Sequence, residues 1–344
     1  MKNILLLFTS FLFMACESLE LESFKQTINV SFQGADMPVY LHGNSSSDKI
    51  IVIIHGGPGG NGLEYRLGTW KDELEEKYLM AYWDQRGQGM SQGKDQSDVL
   101  TVAQMSADLD AVVRTLKSKF GQEKKIILHG HSWGGTVGTH FMVNPAYQKN
   151  VAGWIEADGA HDIPFLNTSA IELFENVAEE QIARGNSTDY WTEILDWVAS
   201  IDKDNISLDE GGEINTKGFE AEGTLANDGI LATGEGSFED IKVLLFSPIN
   251  QLSSFISGNS ANNILTPEIE TTAFTDQLYL IEKPCLFLWG AYDFVVPKAL
   301  GEDAFQKVSS TQKELIIFEQ SGHSPMSSEP GKYTAAVVDF IEKL

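Results

Sequence analysis

Cations are scarce in this chain. Lys and Arg number 24 against 49 Asp and Glu, a formal net charge of −25 over 344 residues. That balance excludes nucleic acid as a partner, because phosphate binding needs clustered Lys and Arg. It also excludes adhesion to an anionic membrane through basic patches. Cysteine is nearly absent, with two residues, Cys16 and Cys285. A disulfide scaffold is therefore ruled out. No repeat of fixed period is visible, which argues against a solenoid or propeller. The seven histidines show no metal-ligand spacing such as H-E-x-x-H, so neither metal nor cofactor is expected. Apolar material is ample, at 42% of residues, as in an ordinary globular protein. At ~150 residues per domain, the length suggests about two domains or one large domain with an insertion.

The N-terminus reads as an address. Met1-Lys2-Asn3 is followed by an apolar run over 4–13, broken only by Thr9 and Ser10, and then by Met14-Ala15-Cys16. A basic start, an apolar stretch and a small residue before a cut mark a secretory signal. The run is too short to span a bilayer as a mature helix. A cysteine after a small residue resembles a bacterial lipobox. Cys16 would then carry lipid, with 1–15 removed and 16–25 left as a short acidic tether. The expected location is outside the cytoplasm, in the periplasm or at the cell surface of a bacterium, with the membrane touched only through that anchor. Cys285 would then be an unpaired thiol in a buried strand.

Apolar runs alternate with helical patterns along most of the chain. Residues 26–43 read as a hairpin around Gln33-Gly34-Ala35-Asp36. The continuous β-branched run at 50–54 reads as a strand buried on both faces, and the apolar stretches at 78–83, 125–129, 151–157, 285–289 and 314–318 read as further strands. Residues 98–120 carry Val102, Met105, Leu109, Val112, Val113 and Leu116 on one helical face, closed by Gly121. A C-terminal helix is expected from about Tyr333. This alternation implies an α/β fold with a mostly parallel, doubly wound sheet. The stretch 162–283 breaks the alternation. It has helical patches at 170–184 and 190–199, then Gly-rich, polar stretches around 211–212 and 223–236. A loop so long is implausible inside a compact domain, so an inserted, mainly helical lid is expected over 162–283. The main domain is then 26–161 with 284–344.

Gly130-His131-Ser132-Trp133-Gly134 follows one of these strands and opens a helical pattern. G-x-S-x-G in a strand, turn, helix context places a serine hydroxyl at the C-terminal edge of a sheet. Glycines flank it because the turn is tight and backbones approach closely. The helix that starts there aims N–H groups at developing negative charge. A serine needs a base, and the base needs an orienting acid. In this pattern the acid and then the histidine follow the serine in the chain. Asp293 lies just past the strand at 285–289, and His323 just past the strand at 314–318. His323 is the only histidine downstream of Asp293. The expected catalytic set is Ser132, Asp293 and His323. Two N–H donors are needed for the oxyanion. Trp133 supplies one, and Gly57 in His55-Gly56-Gly57-Pro58-Gly59-Gly60 the other, since Pro58 has no N–H.

These segments, with Asp84-Gln85-Arg86-Gly87-Gln88-Gly89-Met90-Ser91, resemble the proline iminopeptidase family of α/β-hydrolases. The resemblance covers roughly 26–161 and 284–344. It implies the α/β-hydrolase fold, the same triad and the same oxyanion hole. It also implies a lid whose carboxylates hold the substrate's free amino group over an apolar pocket. His131 stands where the peptidases commonly have Gln, and Met90 where they commonly have a basic residue. Asp84 and Arg86 read as structural ion-pairing groups. Three functions follow in order: an aminopeptidase releasing proline or another N-terminal residue from short peptides, an esterase or amidase of the same fold, and a non-catalytic binding protein. Small peptides or acyl compounds are the expected partners. Glu156 and Asp158, at the end of the strand at 151–157, are candidates for substrate amine binding, or else loop polarity. The aromatics Phe165, Phe174, Tyr190, Trp191 and Trp197 either line an acyl pocket or form the lid's core.

The charge is unevenly spread. Residues 162–283 hold 23 acidic and 5 basic residues, a net −18. The rest of the chain carries −7. An acidic lid serves solubility, or attracts cationic substrates.

Overall fold

The computed structural model describes residues 24–93, 99–234 and 251–344, without the side chains of 251–257. The expected signal segment, Cys16 and most of the tether lie outside the described residues, as does part of the 223–236 stretch. Among the described residues no helix is long and apolar enough to cross a membrane.

The alternation becomes one sheet. Strands β1 (Phe24–Phe32) and β2 (Ala35–Gly43) form the expected antiparallel hairpin. Then come β3 (Lys49–Ile54), β4 (Leu79–Trp83), a two-residue β5 (Gln92–Gly93), β6 (Lys125–His131), β7 (Gly153–Ala157), β8 (Cys285–Gly290) and β9 (Lys313–Phe318). The spatial order is β1-β2-β4-β3-β6-β7-β8-β9, with β5 beside β2. From β4 onward every neighbouring pair is parallel. The register aligns Ile54 with Gly130, Gly130 with Glu156, and Gly290 with Phe318. The C-terminal ends of β3, β6, β7, β8 and β9 thus share one edge.

Successive strand residues face opposite sides of a sheet. In β3, Ile50, Val52 and Ile54 join one core, and Ile51 and Ile53 the other. That is why the run has no polar alternation. The first face carries α2 (Val102–Phe120), α3 (Trp133–Met142), the short α4 (Pro145–Gln148) and α9 (Lys298–Lys307); the second carries α1 (Asp72–Lys77), the one-turn α10 (Pro325–Ser328) and α11 (Pro330–Glu342). Helix α2 is capped by the Thr101 hydroxyl, which accepts from the Gln104 N–H, and ends at Gly121 with φ +120°. Helix α11 starts three residues before the expected point, because a proline is tolerated in the first turn, where its missing N–H has no partner to lose.

Between β7 and β8 the chain forms a helical layer: α5 (Ile163–Arg184), α6 (Thr188–Val198), α7 (Leu208–Asn227) and α8 (Gln251–Ile269). Asp162 caps α5 and the left-handed Gly185 ends it. Helix α7 differs from the sequence expectation of a Gly-rich, polar connection. Each interior glycine costs a helix ~1 kcal/mol relative to Ala. Here Ser207 and Glu210 form a capping box, and Gly211, Ile214, Gly218, Ala221 and Leu225 make a buried stripe. Tertiary packing of that stripe outweighs poor propensity. The layer has its own core, built from Phe174, Trp191, Ile194, Ile214 and Leu225, and Phe294 from the sheet domain enters it.

Candidate active site

Strand β6 runs straight into Ser132, and α3 begins at Trp133. Ser132 sits at φ +56°, ψ −124°. A non-glycine residue so placed stores ~1–3 kcal/mol of backbone strain. The glycines around it make the turn possible. A Cβ on Gly130 would lie 2.4 Å from the Gly134 carbonyl oxygen, and one on Gly134 would lie 2.0 Å from the Ile54 carbonyl oxygen. The Ser132 carbonyl accepts from Gly135 and Ala160 N–H, which locks the serine at the sheet edge. The Trp133 N–H belongs to the first turn of α3, where N–H groups lack intrahelical acceptors.

The glycine loop after β3 faces Ser132. Gly57 has φ +125°, and a Cβ there would lie 2.6 Å from the Gly59 nitrogen. The segment after β4 holds this loop. Gln88 Oε1 accepts from Gly59 N–H at 2.6 Å. Gln85 donates to the His55 carbonyl at 2.8 Å and accepts from Trp133 Nε1–H at 2.8 Å. Arg86 pairs with Asp108, as expected of a structural ion pair, at 2.7 Å. Asp84 departs from that expectation. It is buried and accepts from the N–H groups of Gly62 and Met90 and from the Tyr40 hydroxyl. Burial pushes its carboxyl up to about 6.

Asp293 and His323 come together at this edge. His323 Nδ1 donates to Asp293 Oδ2 at 2.9 Å. Asp293 Oδ1 accepts from Val295 and Val296 N–H at 2.9 and 2.7 Å, so the carboxylate is fixed from both sides. With Nδ1 protonated, Nε2 carries the lone pair. Burial lowers the His323 pKa, but the Asp293 charge and hydrogen bond, helped by the Glu222 charge, raise it overall. Ser132 and His323 line the same cavity of about 530 Å³, with Gly57, Glu64, Asn215 and Phe219. A second cavity of about 260 Å³ is lined by Ser132, Trp133, Ile163, Leu166, Val295 and Glu270.

One hydrogen-bonded chain ties the oxyanion loop to the base loop. Gly56 N–H donates to the Tyr65 hydroxyl at 2.8 Å, and Tyr65 donates to His131 Nδ1 at 2.6 Å. His131 Nε2 then donates to the His323 carbonyl at 2.7 Å. Burial, then the nearby His323, holds the His131 pKa well below its usual value. His131 is therefore neutral and keeps both bonds.

Glu156 and Asp158 do not reach either cavity. Both are fully buried. Glu156 binds His161 at 2.7 Å, and Asp158 Oδ1 accepts from Gly290 N–H at 2.9 Å. Strand β7 is central and covered on both faces, so its end is sealed rather than open to the site. Burial, then the Asp293 charge, pushes the Asp158 carboxyl well up. The amine-binding expectation for this pair is corrected: their position gives a substrate no access. Phe174 and Trp191 are fully buried, and with Tyr190 and Trp197 they pack in the helical layer's core. Phe165 packs against the main core instead. Cys285 is a free thiol, buried at the start of β8.

Residues 45–204 match the family described as "Serine aminopeptidase, S33". The chain is 24% identical over 304 residues to the probable aminopeptidase YbaC of Bacillus subtilis, covering 85% of this chain and 89% of that one. It is 26% identical over 313 residues to a proline iminopeptidase of Saccharolobus solfataricus, covering 90% of each. The chain is thus similar to serine aminopeptidases over most of its length, on the α/β-hydrolase fold. An esterase, EaEST, from Exiguobacterium antarcticum shares the fold, with a TM-score of 0.58 at 20% identity over 92% of this chain and 99% of that one. The α/β-hydrolase fold carries both kinds of chemistry.

For this serine aminopeptidase relative, sequence reasoning missed Tyr65, Asn215, Phe219, Glu222 and Glu270. Tyr65 carries no motif signal. The others lie in the stretch whose helices were obscured by glycine and polar residues, or at its end.

Proposed function

We propose that the protein is a serine aminopeptidase that releases an N-terminal residue, proline among them, from short peptides through an acyl-enzyme. One observation carries this reading over a simple esterase. The two cavities that meet at Ser132 hold carboxylates, Glu64 and Glu270, and among the described residues no Lys or Arg lines either one. Burial raises both carboxyl groups, and hydrogen bonds from Asn61 and Asn167 respectively work against that rise. An ammonium group is the complement such a cavity lacks.

In the proposed reaction the Ser132 hydroxyl attacks the scissile carbonyl and gives its proton to His323 Nε2. Asp293 steadies the imidazolium that results. The N–H groups of Trp133 and Gly57 receive the oxyanion, each worth ~3–4 kcal/mol of transition-state stabilisation. His323 returns the proton to the leaving amine, and water then cleaves the ester to Ser132 by the same route. The N-terminal segment supports a second part of the proposal: export and anchoring through lipid on Cys16. Cys16→Ser should move the protein from the membrane fraction to the soluble one.

The test compares prolyl- and alanyl-arylamides, the same amides with an acetylated amine, and p-nitrophenyl esters. The expected result is amide turnover that needs a free amine and disappears in Ser132→Ala. Full turnover of acetylated amides would favour the esterase reading. Full activity in Ser132→Ala would sink the mechanism.

A further inference from the structure

Helix α7 crosses the site with one face inward. Leu208, Gly211 and Asn215 meet the cavities, and Phe219 packs edge-on against His323 with ring centroids 5.9 Å apart. The next turn brings Glu222 to the backbone of both catalytic loops. Its Oε1 accepts from Phe294 N–H at 3.3 Å, and its Oε2 accepts from His323 N–H at 3.0 Å. Phe294 directly follows Asp293. One carboxylate from the helical layer thus bridges the acid loop and the base loop.

We propose, building on the triad reading above, that Glu222 is a positioning residue whose carboxylate holds the Phe294 and His323 peptides in one frame, so that Asp293 and His323 align when the helical layer is seated. Three features of the contact support it. Gly322 has no Cβ, and one there would lie 2.1 Å from Glu222 Oε2, so the glycine makes room for this carboxylate. Gly218 lets α7 approach the acid loop closely; a Cβ there would sit 3.1 Å from the Phe294 carbonyl. The Phe294 ring itself is anchored in the layer's core, 4.8 Å from Phe174 between ring centroids. Two hydrogen bonds to one carboxylate are charge-assisted, and each is stronger than a neutral bond.

The clamp is sensitive to pH. The titratable groups facing Glu222 are Asp293 beyond β8, His323 beyond β9 and Asp158 beyond β7. Burial, then the Asp293 charge, pushes the Glu222 carboxyl up to about 7. In return the Glu222 charge helps raise the His323 pKa. Removing that charge should lower the His323 pKa and move the acid limb of kcat/KM to lower pH.

The experiment uses the full chain, with Glu222→Gln and Glu222→Ala and the exposed α7 residue Glu213→Gln as control. Prolyl-arylamide and the neutral ester p-nitrophenyl acetate are the substrates. A neutral fluorophosphonate reports the triad alone: Ser132 Oγ bonds to phosphorus, fluoride leaves, and the hydroxyl proton passes to His323. Misalignment of about an ångström costs ~100-fold. The expected result is a kcat loss of ~10–100-fold on both substrates, with KM changed less than about threefold. Labelling of Ser132 should slow by a similar factor, and Gln should retain more activity than Ala because it keeps one acceptor. Gly322→Ala, which crowds the carboxylate while leaving Glu222 in place, should reproduce the defect even if a Glu222 variant folds poorly. A loss confined to KM for the amine-bearing substrate, with labelling intact, would make Glu222 a substrate contact and overturn the clamp. Unchanged kinetics and an unshifted acid limb would overturn it as well. Wild-type protein that fails to label at Ser132 would overturn the triad reading itself, whereas labelling that is normal in wild type and variants alike removes only the clamp.

Discussion

The sheet domain and the helical layer above it solve opposite problems. The sheet edge holds reacting groups with backbone geometry: a strained serine, glycines where a Cβ would collide, and a carboxylate fixed by two N–H groups. Among its described residues the layer holds no comparable motif. It carries −18 of the formal charge of −25, faces the site with Asn215, Phe219 and Glu270, and touches the triad through Glu222. Under the proposed function, chemistry belongs to the edge, where small displacements are costly, and selectivity to the layer. If this division is right, substitutions in the two regions should separate in kcat and KM.

The largest effect should come from the edge. Asp293→Asn leaves an acceptor for the Val295 and Val296 N–H groups but favours the wrong His323 tautomer. A loss of ~10⁴-fold in kcat with little change in KM is expected, measured with any substrate the wild type turns over. Asp158→Asn is the contrast, since that carboxyl is buried behind the edge and outside both cavities. The Asp158 pKa is raised in the folded protein. The native carboxyl therefore costs stability increasingly as pH rises through its unfolded value of ~4. Thermal melts should show Asp158→Asn gaining on wild type from pH 4 upward, with kcat within a few-fold. A kcat loss rivalling that of Asp293→Asn would move Asp158 into the catalytic machinery and blur the division.

Tyr65→Phe tests the hydrogen-bonded chain from Gly56 to His323. It strands one buried N–H and one imidazole nitrogen, which costs ~1–3 kcal/mol of stability. Because the chain joins the oxyanion loop to the base loop, kcat should fall ~10-fold for amides and esters alike. A stability loss without a kcat loss would show that the chain supports the fold only.

How far the two regions could be read from sequence follows from the same physics. The β-branched run of β3 is legible because a strand covered on both faces must be apolar on both. The meeting of Asp293 and His323 beside Ser132 at one sheet edge is legible because chain order and strand ends bring them there. Helix α7 is not, because Gly211, Gly212, Gly218 and Gly223 contradict local helix propensity. Two of them clear space: Gly211 for Glu270 and Asn167, Gly218 for the Phe294 backbone. Glu222 is unreadable for the same reason, since its partners are backbone N–H groups more than seventy residues away. Glu156 and Asp158 show the limit at the edge itself. Strand-end position is readable, but whether a side chain opens to solvent depends on what covers it.

Within α7 the glycines divide. A Cβ on Gly223 meets nothing within 4 Å, so Gly223→Ala should stabilise the protein by up to ~1 kcal/mol and leave kinetics unchanged. A Cβ on Gly211 would lie 2.8 Å from Glu270 Oε2 and 3.3 Å from Asn167 Nδ2. Gly211→Ala should displace that carboxylate and raise KM several-fold for amine-bearing substrates, with kcat on a neutral ester held. Equal kinetics in the two variants would remove Glu270 from substrate binding.

The smallest effect concerns the layer's surface charge. Asp189, Glu193, Asp196, Glu213 and Glu220 are exposed and lie away from both cavities. If their field draws in substrates with a free amine, converting all five to amides should lower kcat/KM by ~2–3-fold at low salt, through association alone. The difference should vanish near 0.15 M salt, where the screening length is ~8 Å. Neutral esters should be indifferent to the change at every salt concentration. A salt dependence identical to wild type would assign the acidic surface to solubility. The layer's part in selectivity would then rest on the groups inside the cavities, Glu64 and Glu270, and on the Glu222 bridge to the sheet edge.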